Sequence, residues 1–200
     1  MTRKPLKGRH RDDATVTYTH AAFRPYALAL GQLALAWNGL HETLGVLFCS
    51  VMGGGIANQF LAVWHALKAD RAQRDILLAA ARTNIRGPQP VKFIKDIEWV
   101  CKQADALEDK RNDALHSPLW GYKRGAHTTI LPMAGFGHVR ATKLFEKKDL
   151  IKEFRWCRDS AIILRDFAEA IDWALADYNR LWPERPSLPN RGDSHRHVVG

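Results

Sequence analysis

Two long stretches of this 200-residue chain carry apolar residues in steps that alternate between four and three. In the first, from about His20 to Met52, the seam is Phe23, Ala27, Leu30, Ala34, Trp37, His41, Leu44, Phe48 and Val51. A second stripe of Tyr26, Leu33, Leu40 and Leu47 widens it. In the last stretch, Leu150, Phe154, Cys157, Ala161, Leu164, Ala168, Ile171, Leu175, Tyr178 and Trp182 repeat the pattern until Pro183. Such spacing keeps one face of an α-helix apolar over its whole length. Both stretches therefore predict long helices packed end to end, and a core built from helices.

The sequence between them divides at its turn residues. Gly53-Gly54-Gly55 breaks the first helix, and a shorter one follows over roughly Ile56 to Leu67. Asp70 with Gln73 three residues later reads as an N-cap and capping box for a third helix, which runs to about Thr83. Asn84, Gly87, Pro88 and Pro90 end it. A fourth helix is expected from Val91 to His116, where Pro118 stops it. Beyond Pro118 the pattern changes to period two: 119–122, 128–131 and 138–141 read as short strands. The chain is thus expected to be mainly all-α: a helical bundle of about five helices with a short β-hairpin or meander inserted before the last long helix. Residues 1–18 are expected to be a disordered basic arm, 19–183 the helical domain, and 184–200 a disordered tail.

Charge matters here for where it lies. Of the formal +9, five units come from Arg3, Lys4, Lys7, Arg9 and Arg11, and one from residues 184–200, which leaves +3 for the body. The basic excess is mostly a property of the ends, where it suits a solvated arm or non-specific phosphate contact. The odd set Cys49, Cys101 and Cys157 has no metal-ligand spacing, so buried thiols in a reducing cytoplasm are expected, with no metal and no cofactor. The most apolar run, Ala27 to Leu40, contains Gln32 and Asn38 and falls short of the ~20 residues of a membrane span. A soluble protein with no membrane association follows from this reading.

The densest chemistry lies at the end of the fourth helix, in Glu108-Asp-Lys-Arg-Asn-Asp-Ala-Leu-His-Ser-Pro118. Asn112 and His116 are about 40° apart around a helix axis, while Arg111 lies about 140° from His116. A histidine in the last turn is favoured as imidazolium by the helix dipole. Arg111-Asn-Asp-Ala-Leu-His116 resembles the Arg-x4–6-His signature of HEPN domains, small all-α proteins that include metal-independent RNases and toxins. The Ser117-Pro118 that follows departs from the glycine often found after the histidine in that family.

The resemblance implies a cytoplasmic endoribonuclease of toxin or phage-defence type. In it the ribose 2′-OH attacks the adjacent phosphorus, His116 moves a proton, and Arg111 stabilises charge on the phosphorane. Asn112 and Glu108 would support them, with Glu108 holding the Arg111 guanidinium. His41 or Glu42 of the first helix would face the same pocket, and Trp120 and Tyr122 would be placed to stack a base. RNA, a homodimer partner sharing the site, and an antitoxin are the implied partners. The plainer reading is that Glu108–Arg111 and Asp113–His116 are surface pairs worth ~0.2–0.5 kcal/mol each, that His41 is a core histidine, and that the chain is a non-catalytic helical module binding a nucleotide, RNA or a protein. A homodimer is also expected from length: at about 1.5 Å per residue a helix from 150 to 182 is roughly 50 Å long, and a ~12-residue second helix covers under 20 Å of it.

Overall fold

The computed structural model describes residues 14–54, 57–84, 89–133, 138–145, 149–177 and 179–191. Helix α1 (Arg24–Val51) follows a short 3-10 turn at Ala21–Phe23 and ends where Gly53 and Gly54 adopt φ of 111° and 71°. These are left-handed values that glycine adopts without strain. The reversal lays α2 (Ala57–Ala66) back on the end of α1, with Trp64 stacked near Phe48 at 5.9 Å. Gly45 makes room for it: a Cβ there would meet the Trp64 Nε1 at 2.9 Å.

Helix α3 (Asp70–Thr83) then runs parallel to α1, since Trp37 meets Asp70, His41 meets Gln73, and Met52 meets Asn84. Helix α4 (Pro90–His116) runs antiparallel to both; Arg74 reaches Asp105 and Arg82 reaches Glu98. Pro90 opens it in the first turn, where a missing N–H costs nothing. Helix α6 (Leu150–Ala176) is capped by the Asp149 carboxylate, which accepts from Lys152 N–H at 3.1 Å. It lies parallel to α1: Arg158 donates to Gln32 at 2.7 Å, and Arg165 packs on Gly39 seven residues further along each helix. The core is the space these four helices enclose, filled by Leu33, Leu40, Leu44 and Leu47 of α1, Leu77 of α3, Ile97, Val100 and Leu107 of α4, and Leu164 and Ile171 of α6. The mainly helical bundle with an inserted hairpin is as expected, with six α-helices among the described residues.

The hairpin is β2 (Leu119–Arg124) and β3 (His127–Pro132), turned at Gly125 with φ 59°. Four sequence expectations are corrected around it and at the C-terminus. Residues 14–16, expected in the disordered arm, form β1 and pair antiparallel with β2, Val16 opposite Gly121; residues 1–13 lie outside the described set. Residues 139–140, expected in a strand, open α5 (Val139–Phe145), because His138 caps it: its Nδ1 accepts from Ala141 N–H. Helix α6 ends at Ala176, where the Asp177 backbone turns extended with φ −132°. Trp182 does not prolong the helix but folds back onto α4, edge-on to Phe93 and donating to the buried Asp96 at 2.9 Å.

Residues 184–191, expected to be disordered, form an ordered strap. Arg185 pairs with Asp96 at 2.7 Å, Trp156 donates to the Pro189 carbonyl, and Arg191 donates to Glu153. Residues 192–200 and Tyr178 lie outside the described residues. None of the helices among the described residues is long and apolar enough to cross a membrane.

Candidate functional site

Parallel packing of α1 and α3 against an antiparallel α4 gathers polar side chains that are far apart in sequence. Trp37 and His41 stand one turn apart on α1. Asp70, Gln73 and Arg74 occupy the first turns of α3. Asp105, Glu108 and Arg111 line the facing side of α4.

Asp70 is not the side-chain cap its position suggests; Ala69 is the N-cap and makes no capping bond. The Asp70 carboxylate instead accepts from the Trp37 indole N–H at 2.8 Å and from an Arg111 Nη2 donor. Burial pushes this carboxyl up, but the Trp37 N–H and the His41, Arg111 and Arg74 charges outweigh it and hold it below the ordinary 3.8. The Arg111 guanidinium also lies over the Trp37 ring, 4.6 Å from its centroid.

A chain of hydrogen bonds fixes His41. Gln73 gives its amide N–H to the Trp64 carbonyl at 3.0 Å, so its oxygen faces His41 Nδ1 at 3.0 Å and can only accept. Nδ1 therefore carries the proton. Nε2 is left with a lone pair, which accepts from Arg74 Nη1 at 3.1 Å. This is the neutral tautomer, in agreement with burial as the main cause that lowers the His41 pKa from 6.5. The 3.8 Å approach of Nε2 to Asp70 is accordingly not a hydrogen bond. Arg74, with its side chain 1% exposed, completes the network by donating to Asp105 at 2.8 Å and to Glu108 at 2.5 Å. A cation this deeply buried is tolerated only when paired.

The expected site residues divide accordingly. Arg111, Glu108 and His41 enter one network, but Glu108 serves Arg74, and Asp70 holds Arg111. Neither surface pair of the plainer reading is present among the described residues, for Asp113 is buried. Glu42 is exposed and lies 3.7 Å from His65 on α2, away from Arg111. Asn112 is half-buried. His116 is exposed in the last turn of α4, where Ser117 turns extended ahead of Pro118. The Arg111 Nε and the Ser117 Oγ are both buried without a hydrogen-bond partner among the described residues. Trp120 and Tyr122 alternate with inward Leu119 and Gly121, so both face solvent from β2, at 42% and 38% exposure.

Sequence reasoning assigned no role to Arg74, Asp105 or Trp37 in a polar site and read Asp70 only as a cap. A signal for Arg74 was present: with Asp70, Leu77 and Ala81 it falls on one stripe of α3, a position where an arginine needs buried partners. The three cysteines are buried and form no disulfide among the described residues, and burial pushes Cys101 and Cys157 up to about 12. Among the described residues no group of three or more His, Cys, Asp or Glu is placed to hold a metal ion. No protein-family model matches the sequence, and no curated protein or solved structure matches it either.

Proposed function

We propose that this protein is a metal-independent endoribonuclease of HEPN type, working at the C-terminal end of α4. What carries the reading is the grouping there of His116, exposed in the last helical turn, with Trp120 and Tyr122 facing out from the strand that follows. An exposed imidazole is open to a nucleic-acid strand and is a group able to move protons, and outward aromatics stack bases of a single strand. In the reaction the 2′-oxygen bonds to phosphorus and loses its proton. The P–O5′ bond breaks, the 5′-oxygen takes a proton, and a 2′,3′-cyclic phosphate remains. His116 moves the proton. Arg111, steered by Asp70 and Trp37 and with its Nε unspent, supplies positive charge to the phosphorane.

The test is incubation of the purified protein with single-stranded RNA in chelator. Cyclic-phosphate ends that disappear in His116→Ala are expected, and intact RNA or undiminished cleavage by the variant overturns the assignment.

One observation favours the second reading, a non-catalytic helical module. Arg111 is already committed to Asp70 and Trp37, which is how a purely structural arginine behaves. That reading predicts that Arg111→Ala lowers stability while His116→Ala leaves every biological effect intact.

We further propose a homodimer. Trp182 gives no support, since it is buried within its own chain. Among the exposed apolar side chains, several lie along the parallel pair α1 and α6, where Leu35 is 74% and Trp173 52% exposed. Light scattering is expected to give twice 22.7 kDa, reverting to the monomer in a Leu35→Glu, Trp173→Glu variant.

A further inference from the structure

The hairpin and α5 hold the positive charge that the rest of the body lacks. Residues 117–145 contain Lys123, Arg124, Arg140 and Lys143 and no aspartate or glutamate, a net +4 against +3 for the whole body between its two charged ends. Everything else in the body is therefore slightly acidic. None of the four cations joins an ion pair among the described residues. Charge placed on one excursion, and left unneutralised there, points to an anionic partner on that side of the molecule.

Strand register decides which side chains share the open face of the sheet. Gly121 meets Val16 and Ile130 on the inner face, against Phe23. The alternate residues of β2, Trp120, Tyr122 and Arg124, therefore point the other way. Directly across from them on β3 stand Leu131, Thr129 and His127. All six except Leu131 are exposed. The two rings are about 6.8 Å apart along the strand, and the basic pair, Arg124 opposite His127, lies at the turn end alone.

Exposed rings alone suit a protein partner as well as a base, but an acid-free basic surround favours a polyanion. A duplex closes its base faces by its own stacking, whereas a single strand leaves them open. We propose that the outer face of the hairpin is a platform for single-stranded nucleic acid. Adjacent bases stack on Tyr122 and Trp120, and the Arg124 guanidinium, with His127 beside it, holds the phosphate next to the base on Tyr122. The direction follows from where the basic pair lies: the strand is anchored at the turn and leaves past Trp120 toward Pro118 and His116. The inference deepens the ribonuclease reading and rests on it only for consequence, that the phosphate cleaved is the one beyond the base on Trp120.

Fluorescence anisotropy of the full chain in chelator tests it. The probe is a dye-labelled 2′-O-methyl oligouridylate, which lacks the attacking hydroxyl and stays intact. The same strand paired to its complement, and inorganic polyphosphate, serve as competitors. The single strand is expected to bind at least about tenfold more tightly than the duplex, and polyphosphate is expected to displace it poorly. Trp120→Ala and Tyr122→Ala are each expected to weaken binding about tenfold or more without changing its salt dependence. Arg124→Ala is expected to lower the slope of log affinity against log salt by about 0.7, the loss of one phosphate contact.

Duplex binding as tight as that of the single strand, ready displacement by polyphosphate, or no binding at all overturns the proposal. So do ring variants that fold and bind as the wild type does. Should a ring variant not fold, the wild-type competitor series and the salt slope of Arg124→Ala decide. Ring-dependent binding by a protein that leaves RNA intact removes the nuclease reading and keeps the platform. Cleavage whose KM is indifferent to Trp120 and Tyr122 does the reverse.

Discussion

Arg111 of α4 donates to Asp70 in the first turn of α3, not to Glu108 one turn back on its own helix. The pairing joins three helices, because the same Asp70 oxygen accepts from Trp37 of α1. With the Arg111 side chain 15% and Asp70 32% exposed, the contact is partly shielded and lies above the surface-pair range. Asp70→Ala and Arg111→Ala are each expected to cost about 1–3 kcal/mol in urea unfolding. The double variant should cost clearly less than the sum. Arg111→Lys should recover little, since lysine keeps the charge but loses both the planar fork and the stack on Trp37. Strict additivity would mean that the two side chains do not interact.

Arg74 predicts an asymmetry. Its side chain is 1% exposed, whereas its partners Asp105 and Glu108 are 47% and 26% exposed. Removing the cation by Arg74→Met leaves carboxylates that can still reach water. Removing both anions by Asp105→Ala with Glu108→Ala leaves a buried guanidinium that keeps only the hydrogen bond to the neutral His41 among the described residues. The double carboxylate variant is therefore expected to lose about 3–5 kcal/mol and Arg74→Met distinctly less, measured by denaturant midpoint at constant slope. The reverse order would refute the assignment of burial cost to the arginine.

The same network sets a pH dependence. Burial lowers the His41 pKa from 6.5, and Asp70 is held below 3.8. In both cases the unfolded chain binds protons that the folded chain refuses, so stability falls as pH falls. The His41 part is fully present above 6.5 and is lost on going down toward its folded pKa. The Asp70 part is present above 3.8 and is lost below it. Unfolding free energy should thus begin to decline just under pH 6.5, well before carboxylates titrate. His41→Gln, which cannot titrate, should flatten that first limb. A first limb of equal slope in the variant would remove His41 as its source.

These dependences rest on contacts of different legibility. The seams of α1, α4 and α6 could be read because a local period reports a buried face whatever that face meets. The hairpin could be read because alternation and a glycine turn are local as well. Asp70 and Arg74 were misjudged or missed because their roles depend on which helices become neighbours: a capping residue and a pairing residue look alike until Trp37 and Arg111 arrive. The strap at 184–191 escaped for the same reason, since proline-containing sequence without a period gives no hint that Asp96 of α4 awaits Arg185. Residues 138–141 alternate in polarity as a strand would, yet Ala141 and Leu144, both buried and three apart, belong to a helical turn.

Strand β1 is the clearest case of structure that no local pattern announces, and Gly121 provides its test. A Cβ on Gly121 would meet Val16 Cγ2 at 2.5 Å, and both Ile130 Cδ1 and Phe23 Cε2 at 2.8 Å. Three elements close on this one residue: β1 through Val16, β3 through Ile130, and the 3-10 turn through Phe23. Ile130 and Phe23 are buried, at 5% and 6% exposure, so neither has open space to move into. Gly121→Ala is accordingly expected to cost about 1–3 kcal/mol as overpacking. The nearest clash is with Val16, so in a Val16→Ala background the same substitution should cost less, a positive coupling that double-mutant cycles in urea would read directly. A harmless Gly121→Ala, or a penalty indifferent to residue 16, would mean that β1 does not lie against β2 and that the chain before Phe23 is free of the sheet.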